Sequence, residues 1–330
     1  MAEARFDVVG IGNAIVDVLA HADEKFLVKH NLAKGAMTLI DDDRAAALYD
    51  AMAPAVECSG GSAANTIACL ASLGGDGAFI GKVNHDQLGD IFRHDIRSLG
   101  ITFETEPSTD ETQTARCLIF VTPDAERTMQ TFLGASASLG PADVNPDIIA
   151  AAKVTYLEGY LWDPPSAKQA FIEAADLAHE ADRLVSLSLS DPFCVDRYRD
   201  EFRDLVEQHI DVVFANEDEI LSLYQVDTFD DALQHVRGYC KIAALTRSEK
   251  GSVIISGEEV HVIDAEKVEQ VVDTTGAGDA YAAGFLYGLT QGKPLDVCGR
   301  LGGIASAEVI SHFGARPETP LNELAAAKGL

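Results

Sequence analysis

The stretch FDVVGIGNAIVDVLAHAD, Phe6 to Asp23, decides how the rest of the chain is read. An apolar run ends in two glycines, Gly10 and Gly12, which invites comparison with a dinucleotide-binding turn. That turn needs a third small residue where Ile15 stands, and a helix where this chain continues with the strand-like IVDVL. The dinucleotide reading therefore fails. What remains is a strand that ends in polar residues and a second strand that departs from it. Asn13 and Asp17 are spaced to converge on a polar ligand, although a turn Asn and a surface Asp would look the same.

Working outward, short apolar runs alternate with longer amphipathic ones. GAFIGKV, VTYLEGY, RLVSLSLS, DVVFAN, IAALTR and GSVIIS read as strands, and SAKQAFIEAADLAHEAD and VDRYRDEFRDLVEQHI as helices. Such alternation predicts an α/β fold, a mostly parallel sheet with helices on both faces. Residues 14–41 and 100–132 break the rhythm with ITFETE, QTARCLIFVTP and ERTMQTF, short alternating strands without crossover helices. They are expected to form a small antiparallel β lid on a large unit made of residues 1–13, 42–99 and 133–330.

Charge and composition narrow the partners. The 330 residues carry 25 Lys+Arg against 53 Asp+Glu, a formal net charge of −28. That field repels phosphate backbones and anionic membranes, so no nucleic-acid or membrane partner is expected. Six cysteines without a CxxC pair or Cys/His cluster read as free thiols of a reducing compartment. The opening MAEARFDVVGIG has no basic n-region and no long apolar run, and a cytoplasmic location is expected.

Two more glycine signals carry chemistry. In CSGGSAANTIACLASLGG, Gly60 and Gly61 lead through small residues into a helix with Asn65 one turn in, which permits close approach by a ligand or simply tight packing. In DTTGAGDA, Asp273 to Ala280, the loop Thr274–Gly278 can point its amides at one centre. A phosphate cradle alone would not place Asp279 there, because a carboxylate repels phosphate. It fits a site that also removes a proton from an attacking hydroxyl while amides and helix dipole hold the transferring group. In FANEDEI, Asn216 and Glu219 can orient Mg²⁺ waters, or act as an N-cap with its first-turn acid.

Together these motifs resemble the ribokinase-like (phosphofructokinase-B) family of sugar and nucleoside kinases. DTTGAGDA is similar to its C-terminal signature, GGSAANTIACLASLGG to its N-terminal one, NEDE to its Asn-x-x-Glu element and LTRSEKGSV to its nucleotide-binding segment. The resemblance covers nearly the whole chain in order, and within the family it is nearest to the adenosine kinases, through GNAIVD, YLEGYLW and LSLSDPF. It implies a Rossmann-like domain with a β lid, ATP and Mg²⁺, and Asp279 as base with Gly276, Ala277 and Gly278 as anion hole. It further implies Arg127 approaching the phosphates, and Asn13, Asp17, Gly60, Gly61 and Asn65 around the acceptor's sugar. Tyr160 (or Leu161), Trp162 and Phe193 would wall a base. Asn216, Thr246, Arg247, Gly251, Thr274 and Gly314 would line the ATP side, with Glu219 and Asn216 near Mg²⁺ through water.

Two departures bear on the acceptor: Asp191 in place of a small residue, and Gln113 where a glycine is usual. The expected reaction is transfer of the ATP γ-phosphoryl to the 5′-hydroxyl of a ribonucleoside, foremost adenosine. The alternatives are a kinase for ribose, fructose or a related sugar, and a non-catalytic nucleoside-binding protein on the same fold. Activation by a monovalent cation, and the choice between monomer and homodimer, stay open.

Overall fold

The computed structural model describes residues 4–124 and 126–330. The first three residues of the expected large unit, and Ala125 in the lid's AERTM stretch, lie outside the described residues. Thirteen strands run in chain order among them: β1 Phe6–Ile11, β2 Ile15–His21, β3 Met37–Leu39, β4 Val56–Gly60, β5 Gly77–Ile80, β6 Ala115–Val121, β7 Arg127–Phe132, β8 Ala152–Glu158, β9 Leu184–Ser188, β10 Val212–Asn216, β11 Ile242–Thr246, β12 Ser252–Ser256 and β13 Glu259–Ile263.

Eight strands form the large sheet in the order β13-β12-β11-β10-β9-β8-β1-β5. Pairing is parallel from β5 through β11 and antiparallel only at β11/β12 and β12/β13. Apart from the largely exposed edge strand β13, its strands are buried on both faces, so their apolar residues alternate between two cores. Val212 and Phe214 pack with the helices Ser62–Ser72, Ala277–Thr290 and Leu295–Val309, and Val213 and Ala215 with Pro165–Glu180 and Pro192–Gln208.

The second sheet runs β3-β7-β6-β2-β4. Three features correct the expected lid. First, β2 pairs parallel with β6 and β3 with β7, so the sheet is mixed rather than antiparallel. Second, β4 belongs to it, although the expected large unit includes residues 56–60; VECSG is too short and polar to announce itself. Third, ITFETE supplies no lid strand: Thr102 makes an isolated bridge to Ala78 beside the large sheet.

Along β2 the alternation is regular. Val16, Val18 and Ala20 are buried, while Asp17 and Leu19 turn to the more open face. The ends of β1, β8, β10 and β11 share one edge of the large sheet. The chain leaves β1 for β5 on one side and later returns to β8 on the other, so the crevice between β1 and β8 is the topological switch point where such sheets bind ligands. No described helix is long and apolar enough to cross a membrane.

Candidate active site

Asn13 leaves the end of β1 and Glu158 is the last residue of β8, so the two meet at that switch point. Glu158 Oε1 accepts from Asn13 Nδ2 at 2.7 Å and from its backbone N at 3.3 Å, and Oε2 accepts from Ala63 N at 2.7 Å. Asn13 Oδ1 in turn accepts from Ser136 Oγ at 2.9 Å. Glu158 is 1% exposed. Burial pushes its carboxyl up to about 7 against the pull of these donors. It ties the end of β1 to the helix Ser62–Ser72, which enters from Gly61 at φ +97°. The sequence reading missed Glu158; its one signal is an acid closing an otherwise apolar buried strand.

Every partner of Glu158 is a donor, so Glu158→Gln would set an N–H against an N–H. We expect a loss of about 1–3 kcal/mol in unfolding stability and a clear fall in kcat with the KM for ATP held within a few-fold. Unchanged kcat would remove Glu158 from the site.

The helix Ala277–Thr290 begins at Gly276, in the left-handed region at φ 78°, and no side chain caps it. A Cβ at Gly276 would fall 2.6 Å from the Ala315 Cβ and 2.8 Å from its Cα. The glycine therefore lets the C-terminal segment close over the loop while the first-turn amides face outward. Asp279, in that first turn, accepts from Ser62 Oγ at 2.6 Å and from Asn65 Nδ2 at 3.4 Å. Burial lifts its carboxyl to about 6, and Ser62 and Asn65 pull it down.

Asp17 reaches the same cleft from the small sheet, in register with Cys58 of β4 and Cys117 of β6. Burial raises it to about 6, the charges of Arg316 and Arg127 oppose that rise, and Asp279 adds to it. A Cβ on Gly60 would lie 2.3 Å from Asp17 Oδ2. Arg127, at the start of β7, pairs through Nη1 with Asp273 Oδ2 at 2.8 Å and lies over the Phe313 ring. Asp273 also accepts from the amides of Thr275 and Gly314, at 3.0 and 3.1 Å. Arg127, Thr274–Asp279 and Gly314 thus meet around one loop. Arg316 joins them unannounced by any motif: Nε donates to Asn65 Oδ1 at 3.3 Å, and Nη1 pairs with Asp95 Oδ2 at 3.2 Å.

The expected base wall is only partly assembled. Tyr160 is 36% exposed and Phe193 66%, and the Tyr160 hydroxyl is raised by burial and by Asp191 and Asp279. Trp162 is a correction. It is 5% exposed, its ring lies against Phe171 and Phe202, and its indole N–H donates to Glu201 at 2.9 Å. A ring already packed among core aromatics offers no face to a base. Leu161, at 1% exposed, is likewise core. Asp191 caps the helix Pro192–Gln208 by accepting from Cys194 N at 2.7 Å.

On the nucleotide side, Asn216 and Glu219 form a reciprocal capping box. Asn216 Oδ1 accepts from Glu219 N at 2.8 Å, and Glu219 accepts from Asn216 N at 2.9 Å and from its Nδ2 at 2.6 Å. Burial raises the Glu219 carboxyl to about 7. Among the described residues no group of three or more His, Cys, Asp or Glu could hold a metal. Thr246 pairs in register with Asn216, so both lie on the shared strand edge. Arg247 is held by Glu217 at 2.9 and 3.1 Å and stacks on Phe229. Gly251 takes φ +81°, with Ile263 O only 1.9 Å from where a Cβ would sit, and Gly314 takes φ +105°.

Comparison with known proteins identifies the family. The model of the pfkB family of carbohydrate kinases matches residues 44–322. Adenosine kinase 1 of Arabidopsis thaliana is 27% identical, over 97% of this chain and 99% of its own. Among solved structures, the adenosine kinase from Sinorhizobium meliloti superposes with a TM-score of 0.91 at 54% identity, covering 98% of this chain and 100% of that one. A probable sugar kinase protein from Rhizobium etli CFN 42 gives 0.91 at 53%, with 99% of each chain covered. These matches support a phosphotransferase with a hydroxyl acceptor, and the chain belongs to the pfkB family of carbohydrate kinases.

Proposed function

We propose that this chain transfers the γ-phosphoryl group of ATP to the 5′-hydroxyl of adenosine. The observation that carries the reading is Asp279: a carboxylate held by Ser62 and Asn65 in the first turn of a helix with no side-chain cap. The carboxylate accepts the hydroxyl's proton, and the amides following Gly276, with the helix dipole, stabilise charge on the moving phosphoryl. Asp17 and Asn65 hold the sugar, Glu158 sets the Asn13 turn beneath it, and Tyr160 and Phe193 flank the base. Arg127, poised on Asp273, is placed to reach the phosphates by exchanging that partner. Closure of the small sheet would keep water from the donor. Mg²⁺ carried on the phosphates supplies charge neutralisation when bound. Glu219 and Asn216 would meet it through water, since their own capping bonds occupy them.

The two solved structures described above, both of more than half identity, are named for a probable sugar kinase and an adenosine kinase. With Trp162 withdrawn from the base wall, a free-sugar acceptor is the second reading. ADP release from Mg²⁺-ATP should therefore be measured against adenosine, guanosine, inosine, cytidine, ribose, fructose and fructose 6-phosphate. We expect the highest kcat/KM with adenosine. Turnover confined to a sugar would discard the base pocket, and silence across the panel would discard the reaction.

A further inference from the structure

The acceptor cleft contains one cation that the reaction outlined above leaves without a task. Arg316 sits in the segment after the helix Leu295–Val309, next to Ala315, which packs on the Gly276 of the anion-hole loop. Pro317 follows it and restricts its backbone to extended conformations. Its guanidinium is anchored at two points, Asn65 Oδ1 through Nε and Asp95 Oδ2 through Nη1. Asp95 is itself fixed, accepting from Ser59 N at 2.8 Å and from Ser59 Oγ. The remaining nitrogen, Nη2, is buried and has no hydrogen-bond partner in the structure.

A buried donor without an acceptor marks a place where an oxygen belongs. Arg316, ion-paired directly with Asp95, is also the charge that most favours the ionised form of Asp17 across the cleft. Asp17 can only accept and Nη2 can only donate. A hydroxyl does both, so one hydroxyl between them satisfies each.

We propose that Arg316 is a specificity-determining residue of the acceptor site, its Nη2 donating to the oxygen of a sugar-ring hydroxyl whose hydrogen goes to Asp17. Through Nε it also positions Asn65. With Oδ1 held by the guanidinium, the Asn65 amide must present Nδ2 to Asp279, because the opposite orientation would set N–H against N–H. The assignment rests on the phosphotransfer reading above and deepens it by naming what recognises the ring hydroxyls.

The test is a cycle of variant against substrate, with thermal unfolding as a check on folding. Wild type, Arg316→Met and Arg316→Lys are assayed with adenosine, 2′-deoxyadenosine and 3′-deoxyadenosine. Wild type should lose about 100-fold or more in kcat/KM with the analogue lacking the recognised hydroxyl. Arg316→Met should fall by a similar factor on adenosine but only a few-fold further on that analogue, so the deoxy penalty collapses. Arg316→Lys keeps the charge but not the planar fork, and should retain part of the penalty. It also serves the cycle if the Met variant does not fold.

Equal losses on all three substrates, or an intact penalty in both variants, would overturn the assignment while leaving the reaction standing. If wild type turns over a free sugar instead, the same cycle is run with that sugar's deoxy analogues. A wild type inert with every acceptor overturns the reaction and this assignment together.

Discussion

Asp279→Asn should lower kcat by a factor of roughly 10²–10⁴, the range for loss of a positioned general base, with the acceptor's dissociation constant within a few-fold of wild type. Asparagine keeps the shape: its Oδ1 can accept from Asn65 Nδ2 while its Nδ2 donates to Ser62 Oγ, a hydroxyl that can also accept, so the cleft stays built while the proton acceptor is lost. The carboxyl is raised to about 6, so wild-type kcat/KM should fall below that pH, by roughly tenfold or more per unit, as the base is protonated together with Asp17, which is raised to about 6 beside it. Stability should run the other way. A folded value of about 6 above the ordinary 3.8 means that the native state holds this proton more tightly than the unfolded chain does. The stabilisation is full below the unfolded value and is lost as pH rises through 6. The Asn variant, with no charge to bury, should therefore melt higher than wild type at pH 8, and the difference should shrink toward pH 4. Parallel loss of acceptor binding and turnover would instead assign Asp279 to holding the cleft together.

The Gly276–Asp279 loop was legible as a candidate site because its features are local. A glycine pair, a helix start and a carboxylate fall within eight residues, and no packing partner is needed to see what they can do. Most of the main sheet was legible for a related reason: strands buried on both faces read as apolar runs wherever they fall, whereas the largely exposed β13 gives no such run and does not read as a strand. Residues whose role is set by distant partners were not legible. Glu158 meets Ala63 across 95 residues and Asn13 across 145, and Arg316 meets Asn65 across 251. Nothing in ARPE or YLEG announces those contacts.

Trp162 failed for a geometric reason. Gly159–Trp162 forms a short 3₁₀ turn after β8, and its indole packs with Phe171 and Phe202, in the core of the opposite helix layer from Ser62–Ser72. Aromatic content tells nothing of that direction. NEDE carried two readings in one spacing, and the capping box is the one built from its own side chains.

Asp17 offers the sharpest separation of acceptor binding from nucleotide binding. Asp17→Ala removes the only carboxylate that the small sheet brings to the acceptor side of the cleft among the proposed contacts. A lost hydrogen bond to a charged group, leaving its partner unpaired, should raise the acceptor KM on the order of 100-fold, with the KM for ATP within about threefold. Gly60→Ala provides an independent route to the same loss. Gly60 and Cys58 share a face of β4, and Cys58 stands opposite Asp17 in register. A methyl at Gly60 would enter the space of the Asp17 carboxylate, within 2.3 Å of Oδ2 and 2.5 Å of Cγ. The carboxylate must then turn away from the cleft, because the backbone of β4 is fixed by its ladder to β2. Gly60→Ala should therefore reproduce the Asp17→Ala defect, and the double variant should be little worse than either single one, as expected when two changes remove one contact. Full additivity would mean that Gly60 contributes through the backbone rather than through Asp17. An acceptor KM unmoved by Asp17→Ala would take the small sheet out of substrate recognition altogether.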